Sequence, residues 1–189
     1  MPNWAFGDVD VTGTKAAVTS FSERAVTSFS ERFIFKEEPR TTPGKRIFGR
    51  SFHDESRKHI KSAIDAEFRG KAANEEATVQ LSISFAWSAD SCMVSRYPTV
   101  DPNGCISLPD ACKEDQVTVH VHTFLFDEGT EEDINCSPDG KLNRDVFDMV
   151  QAKCPHCGEL QSISTVLDME DAYCCECGHQ GLEPNTEEE

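Results

Sequence analysis

Two pairs of cysteines near the C-terminal end of the chain have the spacing of metal ligands. Cys154 and Cys157 lie in CPHCGEL, and Cys174 and Cys177 lie in YCCECGHQ, so two residues separate the thiols of each pair. Two thiolates at this spacing can point at one ion, and the glycine that follows each pair allows a turn with positive φ. We therefore predict that these four cysteines hold one Zn²⁺ per chain.

The predicted ion stabilises the fold and takes no part in catalysis. Sixteen residues separate the two pairs, which is room for a hairpin that brings them together, and the segment resembles a zinc ribbon. Catalytic zinc normally keeps a coordination position open for water, whereas four thiolates close the site. About thirty residues cannot build a sufficient core, so metal binding should drive folding here. Redox chemistry of a single Cys-x-x-Cys pair is the competing interpretation.

Other cysteines and histidines are not needed as ligands. Cys175 would leave only one residue between ligands, and His156 and His179 lie beside four well-spaced thiols. His120 and His122 share one face of a predicted strand, which is compatible with metal binding but more typical of solvent-facing side chains. The remaining cysteines, expected to be buried or free thiols, are Cys92, Cys105, Cys112 and Cys136.

Composition predicts a folded protein of the cytoplasm. The chain has 189 residues, 38% of them hydrophobic and twelve of them Phe, which suits one domain with a small appendage. It contains no apolar run of about 18 residues that would span a membrane. MPNWAFGDVD has neither the basic start nor the apolar core of a secretory signal. We therefore expect a reducing compartment, where cysteines bind metal or remain thiols.

The charge is strongly negative and unevenly distributed. The formal net charge is −16, yet residues 36–71 hold ten of the eighteen basic residues against six acids. From Asp101 onward there are 21 acids and four bases. Phosphate backbones repel such a chain, which disfavours general nucleic-acid binding. The basic stretch is interpreted as a solvated loop and helix face, with a local binding patch as the alternative.

Hydrophobic periodicity places helices between strands. A helical period relates Ile60, Ile64 and Phe68, whereas residues 77–87 alternate as in a strand. This order of elements predicts a two-layer α+β sandwich. Strands are predicted over 4–12, 77–87 and 116–129, helices over 53–69 and 108–115, and a strand or short helix over 144–151.

An eight-residue word occurs twice without change, as AVTSFSERAVTSFSER over residues 17–32. Its Ala, Val and Phe residues fall on one broad side of a helical wheel, and Thr14 is a plausible N-cap. The unit is too short and the copies too few for a solenoid. We predict one helix over residues 17–32, in which one copy packs on the sheet and the other extends or displaces the helix end. Whether the duplication is natural or engineered stays open.

The region before the cysteine pairs resembles a known family. MPNW at the start, VTG at 11–13 and ISFAWSADSCMVSRYP at 83–98 are similar to the YubB-like ferredoxin-like domain proteins. The resemblance implies a split β-α-β sandwich with an antiparallel sheet, and a setting on plasmids, phages or integrated mobile elements of bacteria. It brings no activity and no catalytic residue. Ala5 departs from the polar or Cys residue that members often carry there, and the ribbon is an addition.

Together these observations predict a non-catalytic, zinc-binding interaction module that binds a protein or a nucleic acid. Its parts would be a ferredoxin-like α+β domain at 1–147, a zinc ribbon at 148–182 and an acidic tail at 183–189. One alternative is an acidic decoy that mimics nucleic acid and inhibits a host nuclease or regulator. Another is an enzyme that uses the 83–98 loop. The sequence has no Gly-rich phosphate loop, recognisable Ser-His-Asp arrangement or H-E-x-x-H motif, so we predict that the protein is not an enzyme.

Overall fold

A computed structural model describes residues 4–26, 51–53, 57–86, 89, 106–125, 129–165 and 167–185. These residues form three helices and eight strands in a mixed α/β fold. The helices are α1 (Lys15–Val26), α2 (Arg57–Glu67) and α3 (Leu108–Asp115). The strands are β1 (Trp4–Thr14), β2 (Ser51–His53), β3 (Glu76–Ala86), β4 (Thr118–Leu125), β5 (Thr130–Cys136), β6 (Leu142–Lys153), β7 (Leu160–Ser164) and β8 (Glu183–Pro184).

The strands form one antiparallel sheet in the order β2-β3-β1-β4-β5-β6-β7, and β8 pairs with β6. Both β3 and β4 pair antiparallel with β1. They therefore run parallel to each other with β1 between them, and α3 lies in the connection that joins them. This is a split β-α-β unit inside an antiparallel sheet. The predicted α+β class and antiparallel sheet are confirmed, but a ferredoxin-like sandwich is a finer statement than this strand order supports.

The helices pack on one face of the sheet, over the apolar positions of β1, β3 and β4. Ile60, Ile64 and Phe68 on or just after α2 are buried, as their spacing predicts. Val79, Leu81, Ile83 and Phe85 of β3 belong to the same core cluster. One side of β4 is buried in the same way, because side chains alternate along a strand. The buried residues are Val117, just before the strand, and Val119, Val121 and Thr123 within it.

Helix α1 contains the first copy of the repeated word. The Thr14 side chain accepts a hydrogen bond from the Ala17 amide at 3.4 Å, as expected of an N-cap. Val18 and Phe21 of the first copy are fully buried in the core. The helix continues to Val26, two residues into the second copy. Residues 27–32 lie outside the described part of the chain. That the second copy extends or displaces the helix end therefore stays a prediction.

The region after β3 differs from the sequence prediction in one respect. The strand predicted over 116–129 is β4 over Thr118–Leu125, residues 126–128 lie outside the described residues, and a strand that was not predicted, β5, begins at Thr130. Helix α3 spans the predicted residues 108–115, and the undecided segment 144–151 is part of strand β6. Strand β5 was missed because TEEDINC is acidic. Its Glu132 is nevertheless buried, and accepts a hydrogen bond from Arg144 Nε at 2.7 Å.

Strand β6 belongs to both parts of the sheet. Residues 142–148 pair with β5, and residues 149–153 pair with β7. Strand β6 therefore runs unbroken across the boundary predicted between residues 147 and 148. None of the helices that the structure describes combines the length and the apolar composition needed to cross a membrane.

Candidate metal centre

The four predicted cysteines come together at the end of the β6–β7 hairpin. The Sγ atoms of Cys154, Cys157, Cys174 and Cys177 all lie within 4.8 Å of one another. Cys154 Sγ lies 3.7 Å from Cys177 Sγ, and Cys157 Sγ lies 3.6 Å from Cys174 Sγ. A tetrahedral ion with metal–sulfur bonds of about 2.3 Å separates its sulfurs by about 3.8 Å. The cluster therefore has the dimensions of a four-thiolate metal site.

Each cysteine pair lies in the same kind of turn. The Gly158 amide donates to the Cys154 carbonyl at 2.9 Å, and the Gly178 amide donates to the Cys174 carbonyl at the same distance. Both glycines have positive φ, of 79° and 69°. A side chain would be strained in this conformation, which explains why glycine follows each pair. The two turns thus present their thiols in equivalent ways.

Backbone and side-chain contacts hold the two turns against each other. The first turn connects β6 to β7, and an isolated bridge between Tyr173 and Gln180 closes the second turn. Gln161 of β7 spans the two, because its Nε2 donates to the Tyr173 carbonyl at 3.0 Å and its Oε1 accepts from the Cys175 amide at 2.8 Å. Few of the described apolar side chains support this arrangement. The small apolar core beneath the turns consists of Ala152, Ile163, Ala172 and Leu182 with Cys154 and Cys174, and Val150 and Met169 pack against it.

The electrostatics of the cluster favour a cation at its centre. Burial raises the pKa of Cys154, but the backbone amides of Cys157 and His156 and the neighbouring thiols outweigh it and lower the pKa to about 7. For Cys157 the Glu159 amide lowers the pKa, but burial and the other three thiols raise it to about 12. Thiols at this separation cannot all ionise alone, because each thiolate disfavours the next. A bound divalent cation would relieve that repulsion and allow all four to act as thiolates.

The neighbouring candidate residues stay outside the cluster. Cys175 is exposed, and its thiol is not among the four that converge. His156 and His179 stack on each other with ring centroids 5.4 Å apart and planes inclined by 16°. Neither ring joins the group of four thiols. That these three side chains are not ligands stays a prediction.

The other cysteines and the 83–98 loop add no metal site in the described part of the chain. Cys112 and Cys136 are buried, and contact with the Cys136 thiol together with burial raises the pKa of Cys112. Cys92 and Cys105 lie outside the described residues. Only residues 83–86 and 89 of the predicted loop are described, so the enzyme alternative is not addressed by this structure.

The two strand histidines have carboxylate partners that the sequence prediction missed. His120 Nε2 lies 2.7 Å from Asp133 Oδ2, and His122 Nε2 lies 2.5 Å from Glu131 Oε1. Both carboxylates belong to β5, on the face of the sheet opposite the helices. The signal that could have found them is the alternation within TEEDINC, which places Glu131 and Asp133 on one side and Ile134 on the other.

Comparisons with protein-family models, with curated proteins and with solved structures gave no match to this chain. The resemblance to the YubB-like proteins therefore stays a prediction from the sequence.

Proposed function

We propose that this protein is a non-catalytic interaction module in which one structural Zn²⁺ holds a C-terminal ribbon against an α+β domain. The observation that carries the proposal is the convergence of four thiols, two from each Cys-x-x-Cys pair, within 4.8 Å of one another. Four thiolates would fill a tetrahedral coordination sphere and leave no position for a substrate or a reactive water. The ion would therefore stabilise a surface, and binding to a partner is the activity that such a surface supports.

Zinc is the proposed ion because of the ligands. Tetrahedral four-sulfur sites select zinc or iron, and zinc is the common structural ion at two Cys-x-x-Cys turns. A reducing, cytoplasmic location is part of the proposal, because thiolates remain available to metal there. The mobile-element setting remains part of the proposal through the family resemblance alone.

Metal analysis of the purified protein tests this proposal. Protein prepared without chelator should contain one zinc and no iron per chain, measured by inductively coupled plasma mass spectrometry. Cys157→Ser should lower the zinc content well below one, because three thiolates leave the site open. Cys175→Ser is the matched control, since it removes an exposed neighbouring thiol outside the cluster, and it should keep one zinc per chain. Wild-type protein with far less than one metal ion per chain would refute the structural-zinc proposal.

The acidic decoy is a second candidate, supported by charge. The 21 acids against four bases from Asp101 onward suit a basic, nucleic-acid-binding partner. A decoy occupies the nucleic-acid site of its partner, so duplex DNA should displace it. An interaction module with another role would bind its partner equally well in the presence of DNA. Competition by a duplex therefore separates the two candidates once a partner is in hand.

A further inference from the structure

The face of the sheet opposite the helices carries an ordered set of side chains, which we call the open face. Its register places one aromatic row beside one acidic row across β1, β4, β5 and β6. No described helix packs on this side, because the core residues of α1, α2 and α3 cluster with the other face. The aromatic row is Phe6, Phe124, Glu131 and Phe147; the acidic row is Asp8, His122, Asp133 and Asp145; the third row is Asp10, His120, Asn135 and Asn143.

The open face carries most of its negative charge in the acidic row and the third row. Among the described residues of its three rows there is no lysine and no arginine, whereas there are five carboxylates. His120 lies between two of them, with Nε2 2.7 Å from Asp133 and Nδ1 3.9 Å from Asp10. Glu131 has a side chain only 8% exposed, and its Oε2 has no hydrogen-bond partner in the described structure. The described rows of this face therefore hold five carboxylates and two histidines, but no permanently cationic side chain.

Aromatic surface adjoins this charge. Phe6 is 49% exposed at one end of the face, beside its cross-strand neighbour Phe124. The ring of Phe124 packs edge-on against His122 with centroids 4.6 Å apart, which fixes the boundary between the aromatic and acidic rows. An exposed aromatic ring next to carboxylates offers both a stacking surface and a counter-charge.

We propose that the open face binds an arginine-rich segment of a protein partner. A guanidinium group is planar, so it can stack on Phe6 while its N–H groups bond a carboxylate such as Asp8. A lysine ammonium is a compact, strongly hydrated charge that matches the carboxylates but stacks less well. Nucleic acid is disfavoured because its phosphates would meet the carboxylates of the acidic row and of the third row.

A metal ion is a poorer occupant of the same face. The rings of His120 and His122 lie nearly parallel with centroids 6.3 Å apart, and each Nε2 already bonds a carboxylate. One ion needs its ligand atoms far closer together, about 3 to 4 Å apart. Among the described residues only the four-cysteine group meets such a condition. The geometry thus favours a partner that spans several residues.

The inference names a partner class for the proposed interaction module and so rests on that function. It does not depend on zinc, because none of the cysteine ligands lies on the open face. Metal content and peptide binding can therefore fail separately: protein with a full zinc complement that does not bind the peptide refutes this inference alone.

Fluorescence anisotropy with two labelled peptides tests the inference on the full chain. One probe is a dodecapeptide of alternating arginine and glycine, and the other has lysine in place of arginine. The arginine peptide should bind several-fold more tightly, and Phe6→Ala should weaken it by about two- to fivefold. Leu160→Ala is the matched control, because Leu160 is as exposed as Phe6 at 49% but lies in β7 opposite Lys153, outside the three rows, and it should leave binding unchanged.

A charge-matched pair of variants separates the open face from the net charge of −16. Asp8→Asn with Asp145→Asn should weaken the arginine peptide more than Glu67→Gln with Glu183→Gln, which removes the same charge from exposed positions elsewhere. Equal weakening by the two double variants would mean general charge attraction and would overturn the inference. Equal affinity for the two peptides, no binding of either, or tighter binding of a duplex DNA probe would overturn it as well. Zinc content measured on each variant shows that the ribbon is intact.

Discussion

Two regions of the molecule share strand β6. The helix-backed sheet comprises β1 to β5 with residues 142–148 of β6, and the cysteine-rich hairpins comprise residues 149–185. Very different numbers of buried apolar side chains support them. Among the described residues, the core beneath the helices contains 24 buried apolar residues, including Phe21, Phe85 and Leu81. The cluster of the hairpins contains six, and two of these are the cysteines Cys154 and Cys174. A fully buried Leu, Val or Phe contributes about 1.5–3 kcal/mol, so only the first region can offset its conformational entropy by burial.

The comparison indicates that two kinds of stabilisation coexist within one continuous sheet. In the first region, side chains from three helices and several strands exclude water together. In the second region, four thiols from two turns lie together, and a bound cation would offset the mutual repulsion of their thiolates. Each kind of stabilisation can therefore be removed separately.

Loss of the proposed zinc should produce the largest change, and it should be confined to residues 149–185. Structural zinc at such sites contributes about 10–16 kcal/mol of apparent binding free energy. Cys154→Ser, or treatment with a strong chelator, should therefore abolish amide protection over residues 149–185. Residues 76–86 and 118–125 should remain protected, because their core does not include the cysteines. Hydrogen exchange monitored by mass spectrometry measures both regions in one experiment.

The control for that experiment is Cys175→Ser, which should show the wild-type exchange pattern. Equal loss of protection in both regions after metal removal would contradict the comparison. It would mean that β6 transmits the unfolding of the hairpins into the helix-backed sheet.

Removing a large core side chain should destabilise the helix-backed sheet and leave the cysteine-rich hairpins intact. Phe21 of α1 is fully buried, so Phe21→Ala should lower the free energy of unfolding by about 3–5 kcal/mol. Urea denaturation followed by far-ultraviolet circular dichroism measures this loss. At low urea the variant should still contain one zinc per chain. A variant that folds but has lost its zinc would show that the hairpins depend on the helix-backed core.

Sequence patterns predicted the elements of both regions wherever local physics decides them. Period-two alternation located β3 and β4, and Ile60, Ile64 and Phe68 located α2, because one face of each element is buried. The Cys-x-x-Cys spacing located the cluster for a similar reason, since the turn itself aims both thiols. These features depend on neighbours in the sequence and can be inferred without a structure.

Features that depend on pairing across strands were not predicted. Strand β5 has an acidic sequence, and its burial depends on Arg144 and His122, which belong to neighbouring strands. The histidines of β4 were interpreted as solvent-facing because nothing nearby in the sequence identifies Glu131 and Asp133 as partners. Charge compensation between strands is set by register, which a single sequence does not reveal.

Two glycines with the same backbone conformation give a smaller and more selective test. Gly178 in the second cysteine turn has φ of 69°, Gly70 after α2 has φ of 79°, and a Cβ on either would meet no other atom within 4 Å. Alanine should therefore cost only the backbone strain, about 1–2 kcal/mol. Gly178→Ala should weaken zinc affinity by about tenfold, measured by competition with a chromophoric chelator, and leave urea stability nearly unchanged.

Gly70→Ala is its counterpart in the other region. It should lower urea stability by a similar free energy and leave zinc affinity unchanged. If both variants altered both measurements alike, strain would be shared across the molecule, and the separation of the two regions would be wrong.

The smallest effect is expected from the exposed ion pair between α1 and α2. Lys15 Nζ lies 2.6 Å from Asp65 Oδ1, and the hydrogen bond and charge of Lys15 lower the pKa of Asp65 below its ordinary value of 3.8. A lowered folded-state pKa means that the pair stabilises the protein above pH 3.8, and that this contribution is lost as the pH falls through the folded-state pKa. Solvent screens both groups, so the contribution is small even at neutral pH.

Asp65→Asn should therefore lower the melting temperature slightly at pH 7 and not at all well below pH 3. Zinc binding has the same sign of pH dependence but a different cause, because protons compete with the metal for thiolates. Wild-type protein and Asp65→Asn should accordingly release zinc over the same pH range during acid titration. An Asp65→Asn variant that released its zinc at a higher pH would link the helix surface to the cysteine cluster. The two regions would then be coupled through the shared strand β6 more strongly than their separate cores imply.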